Sequence, residues 1–201
     1  MKRVGLTGNI GSGKTTVSRL FHMLDVPVYY ADQRGRYFLN APATIQFIKT
    51  VFGKEYLDQQ GMPDRKKIAA LVFNDRKKLD QLNAVIHPQV RADFDDWTAG
   101  HRDKAYVIME AAILFESEQS HAFDKIILVT APEDLRILRV SQRDGSSADE
   151  VRQRMKNQMP EEEKILQADY VINNDGAHLL MPQVEKIHAE LTALSQSAGD
   201  K

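Results

Sequence analysis

The chain opens with Met1-Lys-Arg-Val-Gly-Leu-Thr-Gly-Asn-Ile-Gly-Ser-Gly-Lys-Thr-Thr16, and this stretch decides the fold of the 201-residue protein. A short apolar run predicts a strand, and Gly8 to Thr15 then fits the pattern G-x-x-x-x-G-K-S/T without a mismatch. Glycines let successive backbone N–H groups point at phosphate oxygens, because no Cβ blocks the approach. The helix expected from about Lys14 to Leu24 aims its positive end at the same anion. The stretch therefore predicts a nucleoside triphosphate site.

Within this phosphate loop (Gly8–Thr15), each side chain has an expected task. Lys14 is placed to reach the β- and γ-phosphates, and the Thr15 hydroxyl is placed to ligate Mg²⁺. The residues expected to hold the nucleotide here are Gly11, Ser12, Gly13, Lys14, Thr15 and Thr16.

Composition excludes several classes of function. A formal net charge of −1 argues against bulk electrostatic binding of nucleic acid, and the absence of cysteine excludes disulfides and cysteine-ligated zinc. The N-terminus enters a strand at once, and no apolar run approaches the roughly 18 residues of a membrane span. We therefore expect a cytoplasmic protein that binds neither membrane nor nucleic acid. The residues do not distinguish a monomer from a weak oligomer.

Short apolar runs rich in Val and Ile recur along the chain, and helical segments separate them. This pattern is typical of strands buried on both faces of a parallel sheet, so it predicts an α/β fold with a five-stranded parallel sheet flanked by helices. The expected strands are Arg3–Thr7, Pro27–Tyr30, Ala105–Met109, Lys125–Thr130 and Tyr170–Asn173.

The interval between the second and third strands is too long for a simple crossover. It predicts an all-helical insertion at 33–100 that holds a second substrate, within a nucleotide-binding core of 1–32 and 101–201. In the insertion, Asn74 is expected to cap a helix that ends near Ile86, and Pro88 to start a separate one. A structural embellishment is the alternative.

A second irregular region, at 140–160, has the composition of a lid over phosphates. A helix is expected over Glu133–Asp144, Gly145 breaks it, and Ser147 with Glu150 forms a capping box for the next helix. Arg136, Arg139 and Arg143 are three and four residues apart, so they share one face of the first helix. Such a run is usually a solvated face. Beside a phosphate loop, it also suits stabilisation of the transferring phosphoryl group, and Arg139 and Arg143 are the favoured candidates.

Two known classes of nucleotide-binding protein are disfavoured. The chain has no Asn-Lys-x-Asp element for guanine recognition, and no hydrophobic strand ends in Asp-Glu as in ATPase motors. A small-molecule kinase needs the loop, an acceptor site and a cationic lid, and this chain has candidates for all three.

Carboxylates follow two of the expected strands. Asp32 follows the second, where a carboxylate can accept the proton of an attacking hydroxyl or orient that hydroxyl; capping the next helix is the alternative. Glu110 ends the third strand and Glu116 follows it, and one of them suits a Mg²⁺-bound water, with Glu110 the better placed.

Beyond the loop, the chain resembles the dephospho-coenzyme A kinase family. The opening of the family's sequences is similar to Val4–Thr16 of this chain, and Ala31-Asp32 matches the family's aspartate after the second strand. Leu79-Asp-Gln-Leu-Asn-Ala-Val-Ile-His87-Pro88 looks like the family's helical signature, and Asp64–Phe73 precedes it. Further matching elements are Glu110–Glu116, Arg139–Asp144 and Ala168–Asn174. Ala111-Ala112 and Asn9 depart from common family residues without removing a group that the chemistry needs.

The resemblance implies transfer of the ATP γ-phosphate to the ribose 3′-hydroxyl of dephospho-CoA, with ATP and Mg²⁺ as cofactors. Asp32 is then the expected base or orienter, and Lys14 and a lid arginine stabilise the transition state. The nucleotide base is expected against Arg136, Asn174 and Gly176. The acceptor is expected to contact Thr7, Asp32, His87, Pro88 and Glu110.

Two rival functions stay open on the residues alone. A nucleoside-monophosphate kinase shares the loop and lid, but needs an arginine cluster for the acceptor phosphate in place of Asp32. A nucleotide-dependent switch binds ATP and hydrolyses it slowly, without making a phosphorylated product.

Overall fold

The computed structural model describes residues 1–73, 75–116 and 119–196, and its centre is a parallel β-sheet. The strands lie in the order β2-β3-β1-β4-β5, which confirms the expected five-stranded α/β class. Their bounds agree with the predicted ones to within one residue. The strands are β1 (Lys2–Thr7), β2 (Val28–Tyr30), β3 (Tyr106–Glu110), β4 (Lys125–Thr130) and β5 (Tyr170–Asn173).

Burial explains why these runs form the inner strands. Every residue of β3 is buried, and Val4 and Leu6 of β1 are fully buried between the two helical layers. β1 lies between β3 and β4, with Leu6 opposite both Glu110 and Ile127. The loop after β1 therefore leaves the sheet at the middle of its carboxyl edge, where open α/β sheets bind ligands.

The helices follow the strands along the chain. They are α1 (Lys14–Met23), α2 (Ala31–Phe38), α3 (Pro42–Phe47), α4 (Arg65–Phe73), α5 (Arg76–Ala99), α6 (Glu133–Asp144), α7 (Ala148–Met155), α8 (Glu161–Gln167) and α9 (Leu180–Gln196). Short 3₁₀ turns occur at Lys54–Tyr56 and Gln119–Ala122, and a π turn at Ile48–Phe52. Across the described residues, no helix combines the length and the apolarity that crossing a membrane requires.

The chain divides into two compact units. The core unit comprises Met1–Tyr30 and His101–Lys201, and the helical unit comprises Ala31–Gly100. The division falls two residues earlier than the predicted boundary after Asp32, because α2 begins at Ala31 and packs against α5.

Helix α5 corrects one prediction. Instead of a break at Pro88, a single helix runs from Arg76 to Ala99 with Pro88 inside it. Proline offers no N–H to the carbonyl four residues earlier, and its ring loosens that turn. Burial of the apolar residues on both sides of the proline, Ile86 and Val90, keeps the helix continuous. Gln89 ties this turn to α3, because its Nε2 donates to Val85 O at 2.8 Å and to the buried Thr44 Oγ1 at 3.1 Å.

The start of α5 also differs from the predicted one. Asp75 is the N-cap, and its side chain accepts from Lys78 N at 3.2 Å. The predicted cap at Asn74 lies outside the described residues.

The helix–break–helix region matches its sequence pattern. α6 ends at Gly145, which adopts a left-handed conformation with φ 67°. Ser147 and Glu150 then form the predicted capping box, with Ser147 N donating to Glu150 Oε2 at 2.8 Å. α7 packs back on α6 through a cluster of Ile137, Val140 and Val151.

Candidate functional site

The phosphate loop is closely covered by neighbouring backbone and side chains. Gly11 and Gly13 have φ of 78° and 96°, a region that side-chain-bearing residues rarely adopt. A Cβ at Gly11 would collide with the Arg136 backbone, and a Cβ at Gly13 with the Asn174 amide. Glycine is therefore required at both positions by conformation and by space.

Lys14 and Thr15 lie where the loop becomes helix α1. Lys14 Nζ donates to Gly8 O at 2.8 Å, so the ammonium folds back across the loop. Thr15 and Thr16 are exposed in the first helical turn. The positive end of α1, the Lys14 charge and the loop N–H groups thus converge on one anion-binding position.

Arg139 and Asn174 hold the loop from the side. The Arg139 guanidinium donates to Asn174 O at 3.1 Å, to Asn174 Oδ1 at 3.3 Å and to Gly11 O at 3.4 Å. Asn174 Nδ2 donates to Ser12 O at 2.8 Å. We call this pair the loop clasp. It joins α6 and the end of β5 to the phosphate loop and brings a fixed positive charge beside it.

The other two arginines of α6 differ in their surroundings. Arg136 is buried beneath the loop, whereas Arg143 is exposed and donates to Asp144 at 2.7 and 3.0 Å. Asp144 also accepts from Arg154, and the hydrogen bond from Arg143 is the main cause that lowers the pKa of this carboxyl. In this structure Arg143 is held by lid carboxylate Asp144, so its catalytic role stays a prediction.

Polar groups without partners gather at the carboxyl edge of the sheet. Thr7 Oγ1, Asn9 Oδ1 and Ser12 Oγ are buried and make no hydrogen bond to any described residue. Glu110 is also nearly buried, at the end of β3. Buried polar atoms are almost always satisfied, so the three oxygen atoms of Thr7, Asn9 and Ser12 fit a site that is completed by ligand or water.

The turn after β5 is shaped by Asp175. Its carboxylate accepts from Ala177 N and His178 N, both at 2.9 Å, and the hydrogen bonds from His178 hold its pKa far below the usual range. Gly176 is exposed, and no atom lies near the position that a Cβ would take. The expected contact of this turn with the nucleotide base stays a prediction.

In the helical unit, Asp32 is the second residue of α2 and is exposed. It lies inside the helix rather than before it, so the alternative of a capping role has no support in this structure. Two residues on, Arg34 makes a bidentate pair with Asp93 of α5, in which Nε donates to Oδ2 at 2.7 Å. This pair joins α2 to α5.

His87 and Pro88 lie together on α5. Burial is the main cause that lowers the pKa of His87 from its ordinary 6.5, and the charge of Arg91 one turn later adds to it. The imidazole is therefore mostly neutral at pH 7, with one nitrogen able to donate and the other to accept. Pro88 is exposed.

Glu116, the alternative to Glu110 for holding a Mg²⁺-bound water, pairs with a buried lysine in this structure, and its role toward Mg²⁺ stays a prediction. Its Oε1 lies 2.7 Å from Nζ of Lys164, a fully buried residue of α8, and also accepts from Met159 N at 3.1 Å. The sequence did not indicate Gln158 as part of the site. In the structure its Oε1 accepts from Ile10 N of the phosphate loop at 2.8 Å. These partners are 148 positions apart in the sequence, so no local pattern predicts the contact.

The chemistry of the loop fits the expected magnesium ion. Among the described residues, no three His, Cys, Asp or Glu side chains form a metal-binding group. Mg²⁺ usually takes few protein ligands and fills its octahedron with phosphate oxygens and water. One exposed hydroxyl at Thr15, beside a phosphate cradle, agrees with that mode of binding.

Comparisons with known proteins agree along nearly the whole chain. The family model of dephospho-CoA kinase matches residues 2–179. A dephospho-CoA kinase from Aquifex aeolicus is 40% identical over 96% of this chain and 98% of the relative. A crystal structure from Thermus thermophilus covers 96% of both chains with a TM-score of 0.82 and 34% identity. The dephospho-CoA kinase of Campylobacter jejuni covers 95% of this chain and 97% of its own, with a TM-score of 0.69 and 25% identity. The chain therefore belongs to the dephospho-CoA kinase family.

Proposed function

We propose that this ATP-dependent kinase transfers the γ-phosphate of ATP to the ribose 3′-hydroxyl of dephospho-CoA, the final step of coenzyme A biosynthesis. The observation that carries the site assignment is the loop clasp, which fixes α6 and the end of β5 on a loop with the conformation of a phosphate cradle. The core unit thereby accounts for the phosphate donor, and the helical unit offers the side chains for the acceptor.

The loop recognises the triphosphate mainly through its backbone. Ile10 N–H and Ser12 N–H already donate to Gln158 and to Asn9 O, so other loop N–H groups and the end of α1 bind the phosphates. Lys14 neutralises charge on the β- and γ-phosphates when its ammonium leaves Gly8 O. Thr15 holds Mg²⁺, which supplies positive charge to the phosphate oxygens.

Arginines of α6 complete the electrostatics. Arg139 is already beside the loop, where a guanidinium stabilises the charge that develops on the transferring group. Arg143 joins it by exchanging Asp144 for phosphate. Arg136, Asn174 and Gly176 provide the surface for the nucleotide base.

Asp32 acts on the acceptor. Its carboxylate takes the proton of the 3′-hydroxyl as the oxygen–phosphorus bond forms and the bond from the γ-phosphorus to the β-bridging oxygen breaks. Neutral His87 and the adjoining Pro88 bind the acceptor, together with Thr7 and Glu110. The exposed position of Asp32 suits an approach by substrate.

A substrate panel tests the assignment. The protein is incubated with ATP, Mg²⁺ and one acceptor, namely dephospho-CoA, AMP, CMP or dCMP, and ADP and the phosphorylated product are quantified separately. We expect ADP and coenzyme A in equal amounts when dephospho-CoA is the acceptor, and no phosphorylated product with the other three acceptors. Transfer to a nucleoside monophosphate supports the rival kinase class, and ADP without phosphorylated acceptor supports the switch. Cytoplasmic location and a monomer or weak oligomer stay predictions.

A further inference from the structure

The connection between α7 and α8 is held from two sides. On one side Gln158 Oε1 accepts from the phosphate-loop amide Ile10 N at 2.8 Å. On the other, Glu116 Oε1 accepts from the next amide, Met159 N, at 3.1 Å. Two adjacent residues therefore join the loop after β1 to the segment after β3.

A buried ion pair anchors the second of these contacts. Lys164 is fully buried on α8, and its Nζ lies 2.7 Å from the Glu116 oxygen that also accepts from Met159. Removing a lysine from water is costly, so a buried pair contributes little net stability, but it strongly restricts where its partners lie. Glu116 is thereby held at one position, and the Met159 peptide with it.

The side chain of Ile10 gives the loop a second attachment. It packs with Ile137, Val140 and Val151, the apolar cluster between α6 and α7. Its amide and its side chain are thus both held by the lid region. The hydrogen bond of Ile10 N–H fixes the peptide between Asn9 and Ile10, which comes directly before the loop glycine Gly11.

We propose that Gln158 is a positioning residue for the phosphate loop, and that the Lys164–Glu116 pair sets its position through the Met159 peptide. Gln158 keeps Ile10 N–H satisfied and holds the loop in its anion-binding shape before nucleotide arrives, which lowers the cost of ordering on binding. The inference rests on the proposed function only in taking the loop as the ATP-binding element.

The direct test replaces Gln158 by Met, which keeps the length of the side chain and removes the acceptor. Gln153→Met makes the same change at an exposed position of α7 and is the matched control. We expect the Kd of a fluorescent ATP analogue to rise about fivefold in Gln158→Met. This change corresponds to the usual net contribution of one neutral hydrogen bond to the binding free energy. The KM for dephospho-CoA and the unfolding temperature stay close to wild type, and Gln153→Met behaves as wild type.

A double variant tests the ion pair. Glu116→Leu with Lys164→Met removes both buried charges together, which avoids leaving one of them unpaired. We expect it to fold, as judged by circular dichroism and cooperative unfolding, and to raise the Kd of the ATP analogue as Gln158→Met does. A folded double variant with wild-type affinity overturns the role of the pair. Failure to fold also overturns it, because that result assigns the pair to folding rather than to positioning.

Binding and transfer separate this inference from the proposed function. An unchanged Kd in Gln158→Met overturns the positioning role, whether or not the wild type phosphorylates dephospho-CoA. An equal rise in both KM values together with a lower unfolding temperature also overturns it, because that result describes a general structural defect. Absence of transfer by the wild type instead overturns the function and leaves the binding result valid.

Discussion

The phosphate loop and the helical unit present their functional groups in different ways. The loop is covered by neighbours, and the direction of its backbone groups, which we propose bind phosphate, is set by glycine conformation and by the loop clasp. In the helical unit, Asp32 and Pro88 are exposed and His87 is half-buried, each a side chain on a helix. Backbone recognition of a phosphate leaves a strict sequence motif, whereas side chains on helices leave isolated residues. We therefore expect substitutions in the two regions to have separable kinetic effects.

The largest expected effect lies in the loop. Lys14→Met removes the charge directed to the β- and γ-phosphates and should lower kcat about 10³-fold, the upper range for one electrostatic group. Steady-state kinetics with dephospho-CoA measures the loss, and Lys186→Met at an exposed position of α9 is the control. A loss smaller than tenfold would contradict the role given to Lys14.

Asp32→Asn changes the helical unit rather than the phosphate loop. Loss of the proton acceptor is expected to lower kcat about 10²-fold, while the Kd of an ATP analogue stays unchanged. Asp96→Asn makes the same change at an exposed position of α5 and should keep full activity. Full transfer activity in Asp32→Asn would refute the role of Asp32 as the base. Weaker ATP binding in this variant would contradict the expectation that substitutions in the two regions have separable kinetic effects.

A smaller effect is expected at the loop clasp. Asn174→Ala removes the hydrogen bond to Ser12 O and the side-chain hydrogen bond from Arg139, so the Kd for ATP should rise about tenfold. The KM for dephospho-CoA should not change. Isothermal titration with a non-hydrolysable ATP analogue measures the change, and Asn157→Ala at an exposed position is the comparison.

The smallest expected effect is on the pH dependence of the free energy of unfolding, and it arises from His87 in the helical unit. The pKa of His87 is lowered in the folded chain, so as pH falls below about 6.5 the unfolded chain takes up the proton first. The stability contributed by neutral His87 is therefore present above 6.5 and is lost as pH falls through the lowered pKa. Between pH 7.5 and 5.5, urea unfolding should show a smaller loss of stability in His87→Gln than in wild type. Gln81→Asn, at an exposed position of the same helix, leaves His87 in place and should lose as much stability as wild type.

Local patterns predicted much of the fold and less of the site. Strands, the capping box and the phosphate loop depend on neighbouring residues, so their patterns were sufficient. The continuous helix α5 was missed because proline usually starts or breaks a helix, whereas here buried apolar residues on both sides of Pro88 keep the helix intact. Which residues become buried is decided by the completed fold and not by the local pattern.

Distant contacts explain the other differences. Arg143 has the spacing of a phosphate ligand, yet Asp144 is the carboxylate that pairs with it in this structure. The tie between Ile10 and Gln158 and the buried Lys164–Glu116 pair join segments that are far apart in the chain. Their geometry depends on the completed fold rather than on any one segment.

The turn at Pro88 and Gln89 also has a consequence for how this chain can change over generations. One side-chain amide, Gln89 Nε2, donates both to Val85 O in α5 and to the buried Thr44 Oγ1 in α3. A residue at 89 without a donor deprives the buried hydroxyl of Thr44 of this partner, and an apolar residue at 44 removes that requirement. Positions 44 and 89 are therefore expected to change together, which makes them a single heritable unit.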